Sequence, residues 1–346
     1  MSRIGRPTLA DVARLAGVSL KTASRAMNGE YGVAEGTADR VLAAARELGF
    51  RPNRLARSLA AGGASAAVGL VLPAVSDPFM AAVAGAVEMV LAPRDLQLLS
   101  ASHNNDPQRE RQIMRTFVER RLDALITIPA PGDASYLRRD IDHGLIIVAV
   151  DRPLRGVDVD TVVVDNRAGA AEAVSRLVTR GHRRIAALGN DSRLWTLQQR
   201  LCGYRDGLAR AGLAYDPALV HLDCVDEAGA ERAVRTMAKL ADPPTAAFAA
   251  QHLAGRGVIR AMRSLDLPVE VAAFDELIDV DLLARPPLIV VASGPDRLGS
   301  LAAQRVIERL DGSHAAPELI VLTPLYIEQG EAHRTGSADP LPAVAG

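Results

Sequence analysis

The chain has 346 residues, of which 49% are hydrophobic and 23% are charged, and its formal net charge is −1. This composition excludes a disordered or fibrous protein, and the length predicts several folded domains. No apolar run reaches the roughly 18 residues of a membrane span, and the basic N-terminus lacks the apolar segment of a secretory signal, so we expect a cytoplasmic protein.

The charge is unevenly distributed along the chain. Residues 1–62 contain ten Lys or Arg residues against five acidic ones, a net of +5, which leaves −6 for the remainder. A basic segment joined to an acidic body is typical of a protein in which only that segment binds phosphate groups.

Three short helices are predicted in this basic segment. Thr8 is placed to cap a helix over "LADVARLA", with Asp11 three residues further on, and Ser19 is placed to cap a second helix over "LKTASRAM". Small apolar residues occupy one face of the second helix. The opposite face carries Lys21, Ser24, Arg25 and Asn28. A third helix, "EGTADRVLAAAREL", ends at Gly49, and three such helices can enclose one small core.

Beyond the basic segment the pattern changes twice. Pro52 can begin a short helix that Gly62 and Gly63 end, which predicts a linker that is helical only under some conditions. Apolar strands such as "LIIVAVD" then alternate with amphipathic helices over about 280 residues, which predicts parallel sheets in two lobes. We expect lobe 1 at about 64–163 and 292–329, and lobe 2 at about 164–291. The polar tail, 330–346, is expected to be disordered.

Four blocks of the chain resemble the LacI/GalR family of bacterial transcriptional regulators, nearly end to end. They are "TLADVARLAGVSLKTASRAMNG" with "LGFRPNRLARSL"; "VGLVLPAVSDPF"; "VVVDNRAGAAEAVSRLVTRGHRRIAALG" with "RLCGYRDGL"; and "VAAFDEL" with "LLARPPL" and "RLGSLAAQRVI". The resemblance implies an N-terminal all-α helix-turn-helix domain at 1–51 and a hinge at 52–63. It further implies an α/β, two-lobed, periplasmic-binding-protein-like domain of doubly wound parallel sheets at 64–329, for effector binding and dimerisation.

The resemblance also implies which residues bind DNA. Leu20, Lys21 and Arg25 would read bases in the major groove, where Arg25 suits the O6 and N7 acceptors of guanine. The other predicted contacts of this domain, which hold phosphates or the turn, are Thr8, Ser19, Thr22, Ser24 and Asn28. Leu59 matches the family leucine that intercalates in the minor groove. Its predicted neighbours on DNA are Asn53, Arg54, Ala56 and Arg57. A solvated helix face and an amphipathic linker are the alternatives for these two segments.

For the body, the resemblance implies an effector site in the cleft between the lobes, where strand ends face each other. The residues expected there are Asp77, Phe79, Asp151, Arg152, Trp195, Arg200, Gln251, His252 and Asp275. Carboxylates and arginines suit a hydroxyl-rich ligand such as a sugar. A strand-end aspartate also commonly caps a helix, and Trp195 equally suits the core of a lobe. Family members usually have Asn-Asp in place of Gln251-His252, so the resemblance does not define one effector.

We expect neither an enzyme nor a metal or cofactor site. The chain has no GxxxxGK, GxSxG or HExxH motif, its seven histidines lack metal-ligand spacing, and Cys202 and Cys224 lack CxxC spacing. Asp275 and Glu276 are adjacent on one strand end and point apart, which does not suit paired acid-base catalysis.

The resemblance therefore predicts a repressor that binds a near-palindromic, double-stranded DNA operator as a homodimer, under the control of a small molecule such as a sugar, without a membrane partner. Two alternatives remain. One is a nucleoside or purine effector, and the other is control by a protein partner after loss of the small-molecule site.

Overall fold

The computed structural model describes residues 7–50, 65–267, 269–275 and 288–328. The chain divides into two compact units, residues 1–66 and residues 67–346. The predicted hinge at 52–63 and the predicted tail at 330–346 lie outside the described residues. Within the described residues, no helix is long and apolar enough to cross a membrane.

The first unit consists of three helices, α1 (Leu9–Ala16), α2 (Leu20–Met27) and α3 (Glu35–Glu47). Each helix contributes at least one fully buried residue to the core of this unit: Val12 from α1, Ala23 from α2 and Val41 from α3. The predicted caps are confirmed: the Asp11 amide donates to the Thr8 hydroxyl at 3.3 Å, and the Thr8 amide donates to the Asp11 carboxylate at 2.9 Å. Ser19 accepts from the Thr22 amide at 3.1 Å, which fixes the start of α2.

The second unit alternates strands and helices as predicted. Its elements are β1 (Ala67–Leu72), α4 (Pro78–Leu91), β2 (Gln97–Ser102), α5 (Pro107–Glu119), β3 (Ala124–Thr127), α6 (Arg138–Asp142), β4 (Ile146–Val150), β5 (Asp160–Val164), α7 (Asn166–Thr179), β6 (Ile185–Leu188), α8 (Trp195–Arg210), β7 (Val220–His221), α9 (Glu227–Met237), β8 (Ala246–Ala249), α10 (His252–Leu265), β9 (Glu270–Phe274), β10 (Leu288–Ala292), α11 (Pro295–Leu310), β11 (Leu319–Leu322) and β12 (Leu325–Glu328). The strands form two sheets, one in each lobe.

Both sheets are covered by helices on their two faces. The first sheet has the order β11-β5-β4-β3-β1-β2 and is wholly parallel, with α4 and α11 on one face and α5 on the other. The second has the order β12-β10-β9-β8-β6-β7, with α9 and α10 on one face and α7 and α8 on the other. The predicted fold class, an N-terminal helix-turn-helix domain and two doubly wound lobes, is confirmed.

One predicted lobe boundary is wrong. We assigned all of 292–329 to lobe 1, whereas β12 pairs antiparallel with β10 in the second sheet, with Tyr326 against the core of that lobe. The physical reason lies in Thr323-Pro324, which separates β11 from β12. Proline has no amide hydrogen for a strand ladder, so the chain leaves the first sheet there and crosses to the second.

Candidate functional site

The outward face of α2 carries the residues predicted to contact DNA. Leu20 is 54% exposed although it is apolar, Lys21 and Asn28 are exposed, and Ser24 is half-buried one turn from Lys21. Ala23 and Ala26 occupy the opposite face and are buried in the core of the unit. The structure therefore brings these polar residues to one helix face, while Thr8, Ser19 and Thr22 hold the starts of α1 and α2.

Arg25 lies on the same face but is held against the loop that follows the helix. Its guanidinium donates to the carbonyl oxygen of Tyr31, and its Nε lies 3.5 Å from the Glu30 carboxylate. The Tyr31 side chain is 99% exposed, and we did not predict a role for it. The hinge residues Asn53, Arg54, Ala56, Arg57 and Leu59 lie outside the described residues.

In the second unit, two aspartates occupy equivalent positions at the carboxyl ends of the central strands. Asp151 follows β4 and Asp275 follows β9, and their φ angles, +65° and +68°, are both left-handed. The Asp151 amide donates to Val162 at 2.9 Å, and the Asp275 amide donates to Val291 at 3.0 Å. A left-handed backbone is uncommon for any residue other than glycine, and Asp is one of the residues that tolerate it best. The two lobes thus place one buried carboxylate each at the cleft in the same manner.

Arg200 is buried in the second lobe's cleft wall and is held there by several contacts. Its side chain is 6% exposed, and its Nε donates to the Asn166 Oδ1 at 2.6 Å. Its Nη1 donates to the carbonyl oxygen of Ala250 at 2.7 Å and lies 3.4 Å from Asp275 Oδ2. The guanidinium also lies 3.9 Å from the centre of the Phe274 ring. Four partners from three neighbouring segments of the lobe therefore fix where this cation points.

Arg152 pairs with Asp151 in the first lobe, as Arg200 does with Asp275 in the second, although Arg152 directly follows β4 and Arg200 lies on α8. Its Nε donates to Asp151 Oδ2 at 3.1 Å, and its Nη1 donates to Asn105 Oδ1 at 3.1 Å and to the carbonyl oxygen of Pro129 at 2.9 Å. Burial raises the pKa of Asp151, and the charges of Arg152 and Arg200 oppose this rise. The site combines carboxylate acceptors and guanidinium donors that hold each other in place.

Two buried residues that we did not predict support this arrangement. His103 is fully buried, its Nε2 lies 3.0 Å from the carbonyl oxygen of Ile128, and its Nδ1 accepts from the Asn105 amide at 3.0 Å. Burial lowers the pKa of His103 to about 4, so the ring is neutral and Nε2 donates. Glu110 accepts from the Ala130 amide at 3.0 Å, and burial raises the pKa of Glu110 to about 7. Both side chains fix the loop that holds Arg152.

The rim of the cleft is formed by the first residues of two helices from different lobes. Asp77 caps α4 by accepting from the Phe79 amide at 2.9 Å, and Gln251 caps α10 by accepting from the Leu253 amide at 3.3 Å. The capping alternative for a strand-end aspartate is therefore realised at Asp77. His252 follows Gln251, and its Nε2 lies 3.8 Å from Asp77 Oδ1 across the cleft.

Eight of the nine residues expected to bind an effector line one cavity of about 570 Å³. Trp195, which is half-buried, is absent from the described residues that line this cavity. Helical spacing explains the difference, because Thr196 and Leu197 lie one turn from Arg200 and share its cleft-facing side, whereas Trp195 lies five residues away. The lining also includes Asn105 and Asn190, which we did not predict. Asn105 lies shortly after the end of β2, and Asn190 lies shortly after the end of β6.

No cluster of three His, Cys, Asp or Glu side chains within the described residues could hold a metal ion. The chemistry of the cleft is instead that of multiple fixed hydrogen bonds. A helix-turn-helix unit in one chain with a two-lobed binding fold defines the class: a DNA-binding regulator that responds to an effector.

Comparison with known proteins identifies the family. Residues 8–53 match the model for bacterial regulatory proteins of the lacI family, and residues 65–329 match the model for periplasmic binding proteins and the sugar-binding domain of the LacI family. The regulator CelR of Thermobifida fusca is 31% identical over 93% of this chain and 97% of its own. GalR of Escherichia coli is 31% identical over 93% of this chain and 94% of its own.

A solved structure gives the same result. The structure of a CelR–cellobiose complex superposes with a TM-score of 0.68 at 28% identity, over 94% of this chain and all of that one. The chain belongs to the LacI family of bacterial regulatory proteins. The predicted family is thereby confirmed, and the relatives are transcriptional regulators.

Proposed function

We propose that the protein is a repressor that binds a near-palindromic DNA operator as a homodimer and is controlled by a sugar or sugar derivative in the cleft between its lobes. The observation that carries the effector class is the pairing of a buried carboxylate with a fixed guanidinium in each lobe, Asp151 with Arg152 and Asp275 with Arg200. Neighbouring hydroxyl groups of a sugar can donate to such a carboxylate and accept from such a guanidinium.

The charge balance of the cavity supports an uncharged, hydroxyl-rich ligand. Three carboxylates line it together with two guanidinium groups and one imidazole, so neither sign dominates. The amides of Asn105, Asn190 and Gln251 supply further donors and acceptors, and Phe79 supplies an apolar surface for the carbon face of a sugar ring. The solved CelR complex contains cellobiose, a carbohydrate, which agrees with this class.

On DNA, we propose that Leu20, Lys21 and Arg25 read bases and that Ser24 and Asn28 contact the backbone. The exposure of Leu20 supports this, because an apolar side chain on an otherwise polar face suits contact with a thymine methyl group. The hinge residues would contact the minor groove in the same complex.

Control follows from a two-state equilibrium of the two lobes. Effector bound between the lobes favours one relative lobe position, and in a dimer this changes the spacing of the two hinges and their ability to fold in the groove. Whether effector releases DNA or strengthens its binding depends on which state the effector prefers.

A thermal-shift screen of sugars and nucleosides on the full chain tests the effector class. A sugar at about 100 times its Kd is expected to stabilise the protein by about 2.7 kcal/mol. Asp275→Asn should abolish the shift, because it weakens the acceptor that faces Arg200 and Ser293. Asp206→Asn is the matched control, since Asp206 pairs with Arg167 and does not line the cavity.

Two outcomes contradict the sugar proposal. Stabilisation by a nucleoside alone assigns the nucleoside alternative. Stabilisation by neither class favours control by a protein partner. Operator footprinting with and without the stabilising compound then gives the DNA site and the sign of the response.

A further inference from the structure

The end of α2 is fixed by two backbone hydrogen bonds. Gly29 has a left-handed φ of +67°, and its amide donates to the carbonyl oxygen of Ala26 at 3.2 Å. The Glu30 amide donates to the carbonyl oxygen of Arg25 at 3.0 Å. Together these bonds form a Schellman motif, which satisfies carbonyl groups in the last turn of the helix. The backbone of Glu30 is therefore bonded to that of Arg25, the residue proposed to read guanine.

The Glu30 carboxylate contacts two residues that are proposed to bind DNA. Its Oε2 lies 3.5 Å from Arg25 Nε, and its Oε1 accepts from Asn28 Nδ2 at 3.1 Å. The Arg25 guanidinium also donates through Nη2 to the carbonyl oxygen of Tyr31, the next residue of the loop. A single acidic side chain thus joins the cation of the DNA-facing helix to the amide at its end.

The loop approaches Arg25 closely because Gly32 has no side chain. Gly32 has a φ of +91°, and a Cβ at this position would lie 2.9 Å from Arg25 Nη2. A larger residue would have to displace either the guanidinium or the loop. The conformation of the loop and the position of the guanidinium therefore depend on each other.

These contacts leave one edge of the guanidinium uncommitted. Arginine has five N–H groups, and the contacts to Glu30 and Tyr31 engage Nε and one N–H of Nη2. The edge formed by Nη1 and the second N–H of Nη2 suits the O6 and N7 acceptors of guanine. Arg25 can therefore present this edge to a base while Glu30 and Tyr31 hold the other.

We propose that Glu30 is a positioning residue for DNA recognition, which holds the Nη1–Nη2 edge of Arg25 toward the base. This inference rests on the proposed function, base reading by Arg25. The carboxylate itself repels the phosphate groups and lowers the affinity for every DNA sequence. The long side chain of arginine loses rotational freedom on binding, and holding it beforehand reduces that loss for the matching base. Glu30 therefore lowers general affinity and raises discrimination between sequences.

The test uses the full chain and an operator selected with it from a library of random-sequence DNA duplexes. The Kd is measured at one salt concentration for this operator, for each single base-pair variant of it and for a random duplex. In Glu30→Gln the amide oxygen can still accept from Asn28, whereas the charge that holds Arg25 is removed. We expect discrimination at the base pair read by Arg25 to fall roughly three- to tenfold, with equal or tighter binding to the random duplex.

Two further variants serve as controls. Glu47→Gln removes the same charge from the exposed end of α3, outside the loop that holds Arg25, and should leave discrimination unchanged. In an Arg25→Ala background, Glu30→Gln should cause no further loss of discrimination, because its effect passes through Arg25. The Arg25–Glu30 pair is exposed and contributes little to stability, so the melting temperature of Glu30→Gln should equal that of the wild type.

The outcomes separate this inference from the proposed function. If Arg25→Ala loses discrimination at one base pair and Glu30→Gln does not, the positioning role is overturned while base reading stands. Higher discrimination in Glu30→Gln would mean that Glu30 withholds Arg25 from the base, and a loss that persists without Arg25 would mean a separate cause; both overturn the role. Uniform weakening by Arg25→Ala, or the selection of no sequence by the wild type, overturns base reading and the positioning role together.

Discussion

Glu110 makes the stability of the protein depend on pH in a direction opposite to that of most carboxylates. Burial raises the pKa of Glu110 from 4.5 to about 7 in the folded state. The folded protein therefore holds a proton between pH 4.5 and 7 that the unfolded chain has released. The contribution of Glu110 to the free energy of unfolding is therefore fully present below pH 4.5 and is lost as the pH rises to 7. At about 1.4 kcal/mol per pKa unit, the loss is about 3 kcal/mol.

His103 opposes this loss in the same pH range. Burial lowers the pKa of His103 from 6.5 to about 4, so its contribution is present above pH 6.5 and is lost as the pH falls to about 4. The two contributions are similar in size and opposite in sign, and we expect a nearly flat profile for the wild-type protein. The effect of Glu110 becomes visible only by comparison with a variant that retains His103.

Glu110→Gln is that variant. Its amide oxygen can accept from the Ala130 amide as the carboxyl group does, and it carries no charge at any pH. We expect wild type and variant to melt at similar temperatures at pH 5, and the variant to be more stable at pH 8 by up to about 3 kcal/mol. At about 2–4 °C per kcal/mol for a unit of this size, the difference reaches roughly 6–12 °C.

Thermal denaturation followed by circular dichroism at several pH values measures this difference. Glu119→Gln, an exposed residue at the end of the same helix α5, is the matched control and should follow the wild-type profile. Parallel melting profiles of wild type and Glu110→Gln between pH 5 and 8 would refute the reasoning.

Three further predictions concern DNA and packing. Arg25→Ala should reduce specificity at one operator position by roughly 1–3 kcal/mol in binding assays on operator variants, and uniform weakening across the series would contradict base reading. Leu59→Ala should weaken operator binding far more than binding to random DNA at one salt concentration, and equal losses would contradict intercalation. Gly203→Ala should lower the melting temperature by an amount equivalent to about 1–3 kcal/mol, because a Cβ there would lie 2.1 Å from the Arg167 carbonyl oxygen. Gly85→Ala, in open space on α4, should leave the melting temperature unchanged or raise it by an amount equivalent to up to about 1 kcal/mol, because alanine is the better helix former, and similar losses in both variants would contradict the steric argument.

The fold was predictable because its signals are local and repeated. Apolar strands such as "LIIVAV" are recognised by their run of apolar residues, and helix caps such as Thr8 and Ser19 by their position just before a helical pattern. β12 was assigned to the wrong lobe because the pattern of apolar residues in a strand carries no information about which sheet the strand joins. That choice depends on the edge of β10, which is remote in sequence.

The cleft was predictable at the strand ends and less so elsewhere. Asp151, Arg152 and Asp275 follow apolar strands, and this position marks them in the sequence. The sequence left Trp195 open between the cleft and the core of the lobe, because its direction depends on the rotation of α8. The roles of His103 and Glu110 arise from burial against the loop at 128–130, a contact between separate segments that residue type alone does not reveal.

The chain crosses between the lobes three times, after β5, after β10 and after β11, and this has a consequence for synthesis on the ribosome. α11 and β11, which complete the first lobe, are translated only after the second lobe up to β10, and β12 then completes the second lobe. Neither lobe can finish folding before the last part of the body has been made, although domains generally fold as they emerge. A stop codon between residues 295 and 318 therefore leaves both lobes incomplete, the first without β11 and the second without β12.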